Sequence, residues 1–237
     1  MLEIDIASKV YQTAAGPPLL AIRGLRFAIA EGEFACLVGP SGCGKTTCLR
    51  ILLGLERDYD GRIALPGGDP RIGVAFQEPR LLPWRTVEEN VRLAQPVALR
   101  ERPLDDLFAR LGLAGFKHFY PGELSLGLAR RAALARAFAV EPRLLLLDEP
   151  FVSLDEATAS DLRALLVDVW QARPTTALMV THNLREAVQL ADRIFVLSAR
   201  PGRVLGEYPV MIERGRRSPD AVRAISVDLA TRFPGLA

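Results

Sequence analysis

Leu2, Ile4 and Ile6 alternate with polar residues, and Leu25, Phe27 and Ile29 repeat the pattern. A period of two is that of a strand with one buried face, so two half-buried strands are expected early in the chain. After the turn-like Glu31-Gly32-Glu33, Phe34 to Val38 forms a continuous apolar run. That is the mark of a short strand covered on both faces. A glycine-rich stretch follows, and Thr47 to Leu55 then reads as a helix ending near Gly54. Ile63 with Leu65, and then Ile72 to Phe76, read as further short strands.

The period then changes. Val87 to Ala94, Leu104 to Leu113 and Leu128 to Ala139 look helical, with Pro and Gly breaks between them. Leu144 to Leu147 and Ala177 to Thr181 return to the buried-strand pattern, and Ala157 to Ala172 between them is helical. Strands, a helical insert over about residues 78–140, then alternating strand and helix predict an α/β core with a mainly parallel sheet. The expectation is one domain that includes a helical subdomain and a small antiparallel β element near the N-terminus. The segment 201–237, rich in Gly, Pro and Arg, receives no element from its pattern.

Composition narrows the class. At 237 residues the chain can bury a substantial core, and 49% hydrophobic against 24% charged residues excludes a disordered chain. Thirty basic residues against 28 acidic give a net charge of +2. Such balance supplies no basic stripe, so nucleic acid is not an expected partner. No run approaches the roughly 18–20 apolar residues of a spanning helix. Met1 to Ile6 carries Glu3 and Asp5 and no basic leader, so a cytoplasmic location is expected. Cys36, Cys43 and Cys48 match no metal spacing, and their odd number argues for reduced thiols.

The strongest chemical signal is Gly39-Pro40-Ser41-Gly42-Cys43-Gly44-Lys45-Thr46, which fits G-x-x-x-x-G-K-[ST] throughout. It follows a buried strand and opens a helix, the context that confirms a phosphate-binding loop. The glycines let backbone N–H groups turn inward around phosphates, and the helix N-terminus adds favourable dipole charge. Lys45 can reach the β- and γ-phosphates, and the Thr46 hydroxyl, followed by Thr47, can hold Mg²⁺. Leu144 to Leu147 then runs into Asp148-Glu149, two carboxylates at the C-terminal edge of a strand, where open α/β sheets bind ligands. Asp148 suits a magnesium ligand acting through water, and Glu149 a general base that polarises the attacking water. A strand that simply ends in solvated charges would look the same in isolation; the phosphate loop upstream favours the functional reading. So far the residues specify an α/β P-loop NTPase, a RecA-like core, and nothing finer.

Four further segments resemble ABC transporter ATPases, most closely those of nitrate, sulfonate and taurine importers, over about Leu2 to Glu207. Phe76-Gln77-Glu78-Pro79-Arg80-Leu81-Leu82-Pro83-Trp84, with Asn90-Val91 beyond, is similar to the Q-loop of that group. The resemblance implies that Gln77 contacts Mg²⁺ and the attacking water. It also implies that Gln77 to Trp84 meets a helix of the membrane permease; core packing is the other reading of Trp84. Leu124-Ser125-Leu126-Gly127-Leu128 looks like the signature LSGGQ, with Ser125 and Gly127 capping a helix aimed at the γ-phosphate held by a second subunit. Leu126 and Leu128 depart from the family's Gly and Gln. A leucine tolerates positive φ poorly, so a weakened ATP sandwich is expected. Phe151 to Asp155 resembles the D-loop, with Asp155 at the dimer seam or as a plain helix N-cap. Met179 to Asn183 resembles the switch-histidine segment, which gives His182 a bond to the γ-phosphate and the catalytic water. ABC ATPases stack adenine on an aromatic residue upstream of the phosphate loop. Tyr11 is the one aromatic between Met1 and Phe27, and a surface tyrosine is the alternative.

The resemblance thus implies a homodimer that binds and hydrolyses ATP with Mg²⁺. It would sit peripherally on the cytoplasmic side of the inner membrane, contacting permease subunits and, through them, a substrate-binding protein. The altered signature leaves one alternative, an ATP-binding regulatory or assembly subunit with weak hydrolysis. A soluble ABC ATPase for DNA or ribosome work is disfavoured, because the chain carries neither a coiled-coil insert nor a second cassette.

Overall fold

The computed structural model describes residues 1–14, 16–68 and 71–235. In chain order the elements are β1 (Leu2–Tyr11), β2 (Leu19–Ile29), β3 (Phe34–Val38), α1 (Lys45–Leu52), β4 (Asp60–Ala64), β5 (Ile72–Ala75), α2 (Val87–Leu93), α3 (Asp105–Arg110), α4 (Leu126–Ala139), β6 (Leu144–Asp148), α5 (Glu156–Ala172), β7 (Thr176–Thr181), α6 (Leu184–Leu190), β8 (Arg193–Leu197), β9 (Val204–Pro209) and α7 (Pro219–Arg232). They fall into two compact units, residues 1–69 with 176–237, and residues 70–175.

The first unit contains an antiparallel sheet ordered β2-β1-β4. Leu2 pairs with Ile29, Ile4 with Phe27 and Ile6 with Leu25. All six are buried, so the alternation read from the sequence is the inner face of this sheet. The unit's second group of strands is centred on β3, which pairs in parallel with β7 on one side and β8 on the other, while β9 closes antiparallel against β8. Every residue of β3 and β7 is buried, as continuous apolar runs require. The segment that the pattern left unassigned supplies β9 and α7, where Val222 and Leu229 are buried. Within β8, Ile194 to Leu197 are as buried as β3.

The second unit holds the parallel pair β5 and β6 and helices α2 to α5. Helix α4 is rich in alanine, with Ala132, Ala133, Ala135 and Ala137 buried. Small side chains let it lie close on β5: a Cβ on Gly73 would meet the Ala137 carbonyl oxygen at 2.2 Å. All five residues of β6 are buried, Asp148 included. Among the described residues no helix is long and apolar enough to cross a membrane.

Candidate functional site

In the first unit, β3 delivers the chain into the loop that the sequence marks for phosphates. Gly42 and Gly44 have φ of 75° and 105°, in the left-handed region where L side chains are strained. Gly39 is packed so closely that a Cβ would lie 2.9 Å from both Cys43 Sγ and Leu197 Cβ. Gly44 caps α1, whose first turn is Lys45, Thr46 and Thr47. Lys45 is buried, and its Nζ donates to the Gly39 and Pro40 carbonyls at 2.7 and 3.0 Å. The ammonium therefore lies folded over the loop whose phosphates it is expected to reach. Cys43 is 1% exposed. Burial pushes its thiol pKa up, with the charge of Lys45 opposing the shift.

Two further residues of this unit were expected at the site. The Tyr11 hydroxyl donates to Thr47 Oγ1 at 3.4 Å, so β1 brings this half-buried ring to the phosphate-loop helix. Lys9 Nζ stands 4.7 Å from the ring centroid. His182 is exposed directly after β7. Its backbone is set by its neighbours: Asn183 N–H donates to Thr181 Oγ1 at 3.0 Å, Thr181 donates to Glu186 at 2.8 Å, and Asn183 Oδ1 caps α6.

The second unit carries the remaining expected residues. Asp148 ends β6 almost fully buried. Glu149 follows with φ 44° and Ser153 with φ 64°. A non-glycine residue in that region costs free energy of order 1–3 kcal/mol and is found where function holds it. Asp155 does what an N-cap does: its carboxylate accepts from Thr158 N–H at 3.0 Å and from Thr158 Oγ at 2.6 Å. Those bonds hold its pKa below the usual carboxylate value. Ser125 caps α4 by accepting from Leu128 N–H at 3.3 Å.

One expectation for the signature changes. Leu126 is the first residue of α4 and is absent from the positive-φ residues, so it brings no left-handed strain; its side chain is 43% exposed. Gly127 has a packing reason to be glycine, because a Cβ would lie 2.8 Å from Thr158 Cγ2. Trp84 is 69% exposed, which removes core packing as its explanation. Gln77 is exposed just beyond β5.

Sequence reasoning missed three residues that shape these loops. Arg130, 5% exposed on α4, donates to the Phe76 carbonyl at 3.4 Å and the Val152 carbonyl at 3.1 Å. It thereby joins the signature helix to the segments bearing Gln77 and Asp155. Arg136 donates to Pro79 and Arg80 carbonyls at 2.7 and 2.6 Å. Asn90 is buried and bonds both backbone groups of Leu82. The apolar and charge patterns give no sign of such polar side chains bonding backbone, although Asn90 was part of the family resemblance.

Each unit offers oxygen donors of the kind that suit a hard cation: the Thr46 hydroxyl in the first, the Asp148 carboxylate and the Gln77 amide oxygen in the second. Among the described residues no group of three or more His, Cys, Asp or Glu could hold a metal by itself.

Comparison with known proteins agrees with this chemistry. The model of the family described as ABC transporter matches residues 22–152. The aliphatic sulfonates import ATP-binding protein SsuB 2 of Burkholderia lata is 45% identical over 231 residues, covering 95% of this chain and 83% of that protein. The SsuB of Bacillus subtilis is 41% identical over 228 residues, covering 92% and 88%. Among solved structures, the dimeric structure of MJ0796, a bacterial ABC transporter cassette, superposes with a TM-score of 0.77 at 28% identity over 90% of this chain and all of that one. A post-hydrolysis state of the same cassette bound to ADP and Pi gives 0.76 at 27% identity, with the same coverage.

Proposed function

The chain belongs to the ABC transporter ATPase family, and on that premise we propose that it is the ATP-hydrolysing subunit of an aliphatic sulfonate importer. The observation that carries the reading is a P-loop with Gly42 and Gly44 in left-handed conformations, within a chain 45% identical to a sulfonate-import ATPase over nearly its whole length. The names of the relatives favour sulfonate over the nitrate and taurine classes that the motifs also resemble.

In this proposal the loop amides and Lys45 bind the β- and γ-phosphates of ATP. Lys45 leaves the Gly39 and Pro40 carbonyls to do so. Thr46, Asp148 and Gln77 would hold Mg²⁺, which when bound offsets charge on the phosphate oxygens. Glu149 accepts the proton of the attacking water, and His182 donates to the γ-phosphate. Tyr11 stacks on adenine. Two copies act together, with Ser125 and Gly127 of one completing the nucleotide site of the other and Asp155 at the seam. Opening and closing of that dimer shifts a permease between states, and the Gln77 to Trp84 segment, with Trp84 69% exposed, is the permease contact. The protein would then act on the cytoplasmic side of the inner membrane. The regulatory-subunit reading finds less support, because Glu149 and His182 are both in place.

The test is ATP turnover of the purified protein against Glu149→Gln, with the oligomeric state followed in Mg·ATP. A loss of at least about 100-fold in turnover is expected, with ATP binding kept and a dimer trapped. A variant that hydrolyses as fast as the parent, or stays monomeric even beside a permease, overturns the reading. Uptake of a labelled alkanesulfonate into vesicles carrying the complete importer tests the cargo.

A further inference from the structure

The turn between β8 and β9 lies against the phosphate loop. Ser198 N–H donates to the Arg203 carbonyl at 2.9 Å, and Ser198 Oγ accepts from Arg203 N–H at 3.1 Å, which closes the turn. Two backbone bonds tie it to β2: Gly202 N–H to the Ala21 carbonyl at 2.9 Å, and Arg23 N–H to the Gly202 carbonyl at 3.0 Å. From this anchored base, Arg200 Nε donates to the Gly42 carbonyl at 2.9 Å. Gly202 packs so tightly that a Cβ there would lie 2.1 Å from the Cys43 carbonyl oxygen.

Two successive carbonyls of the phosphate loop therefore face this turn. In a planar trans peptide the C=O and the following N–H point in opposite directions. Holding the Gly42 and Cys43 carbonyls towards the turn directs the Cys43 and Gly44 N–H groups away from it, and the Cys43 N–H closes a turn onto the Pro40 carbonyl at 3.3 Å. Gly42 can visit left- and right-handed backbone with similar ease, so its φ of 75° needs an external hold. Arg200 is exposed and forms no ion pair among the described residues.

We propose that Arg200 and Gly202 are positioning residues of the nucleotide site, holding the backbone of the phosphate loop in its turned conformation before ATP arrives. Preorganisation of this kind raises affinity by removing the ordering cost from the binding step. The inference rests on the ATP-binding reading above.

The experiment compares the parent with Arg200→Met and Arg200→Lys. Affinity is titrated with a fluorescent ATP analogue, and the rate at which N-ethylmaleimide modifies Cys43 is followed by peptide mass without nucleotide. Loss of one charge-assisted hydrogen bond should weaken binding by about tenfold in Arg200→Met. The alkylation rate of Cys43 should rise several-fold as the loop loosens, while the melting temperature moves by no more than about 2 °C. Lysine keeps the charge but has no Nε donor in the guanidinium plane, so Arg200→Lys should stay weak at physiological salt. Unchanged affinity and alkylation in Arg200→Met overturn the proposal, and so does full rescue by lysine, which would reduce the effect to net charge. A parent that fails to bind the analogue defeats the ATP-binding reading instead, and Cys43 alkylation then still decides the role of Arg200.

Discussion

Replacing Leu126 and Leu128 together by the family's Gly and Gln separates what the altered signature costs from what it contributes to stability. Leu126 is 43% exposed at the first position of α4, so its removal uncovers little core. Glycine in a helix costs up to about 1 kcal/mol relative to a good helix former, and about half of a leucine's burial is worth about 1 kcal/mol more. The Ser125 cap survives, because Leu128 donates to it through backbone N–H, which glutamine also has. A total loss of about 1–2 kcal/mol lowers the melting temperature of a chain this size by about 2–8 °C and leaves it folded. Against that, the glutamine restores a polar contact to nucleotide across the proposed dimer, about 1–2 kcal/mol if one hydrogen bond is regained. At subsaturating ATP this amounts to roughly 5- to 30-fold in closed dimer and hence in turnover. Steady-state ATPase rates and a thermal melt on the same preparation read both effects. A folded double variant with unchanged or lower turnover would refute the claim that these leucines weaken the sandwich.

Cys43→Ala should resist inhibition of nucleotide binding by bulky thiol reagents that block the parent. Because burial raises the Cys43 pKa, the thiolate appears only at higher pH than for a free thiol, so the parent's inactivation rate should keep climbing through and beyond pH 9; a rate that levels off near neutrality contradicts this. Gly73→Ala forces a Cβ to within 2.2 Å of the Ala137 carbonyl oxygen, a backbone atom that cannot rotate away. It should cost at least about 2 kcal/mol, seen as a melting temperature lower by roughly 4–8 °C. Trp84→Ala removes a side chain that is 69% exposed; the melting temperature should hold while co-purification with the permease is lost, and undiminished co-purification would place the permease contact elsewhere.

The parts of this molecule legible in its residues are those set by period or by a contiguous motif. Leu2, Ile4 and Ile6 announce the inner face of β1, and the apolar runs of β3, β6 and β7 announce strands buried on both sides. The phosphate loop is legible because eight consecutive residues must satisfy one geometry. What escaped was set by contacts distant in sequence. Arg200 lies 158 residues from the Gly42 carbonyl it holds, and Arg130 lies 54 from that of Phe76. Helix α7 escaped because its flanking Gly, Pro and Arg mask a sparse apolar face of Val222 and Leu229. Leu126 was misjudged differently: the family pattern suggested a strained turn, whereas Ser125 already stops the extended segment and leaves Leu126 an ordinary helical residue.

The glycines and the arginines of these loops have one physical logic. Gly127 must stay small because Thr158 of the helix capped by Asp155 lies against it. Arg130, from the same helix as Gly127, reaches the carbonyl of Val152, three residues before that same cap. The signature helix and the Asp155 segment are therefore packed together within one chain, so neither can shift without the other. If a second subunit's nucleotide presses on Ser125, the displacement is carried to Asp155 through Thr158 and Arg130. Arg130→Met should then remove the hydrogen-bonded half of that link, leaving the Gly127–Thr158 contact and the Ser125 and Asp155 caps in place. ATP should still bind, because Arg130 belongs to the unit that does not contain the phosphate loop. Turnover should fall because the second subunit's approach no longer sets Asp155. Equilibrium ATP binding and the protein-concentration dependence of turnover measure the two effects separately. Unchanged turnover with intact binding would show that the segments respond independently.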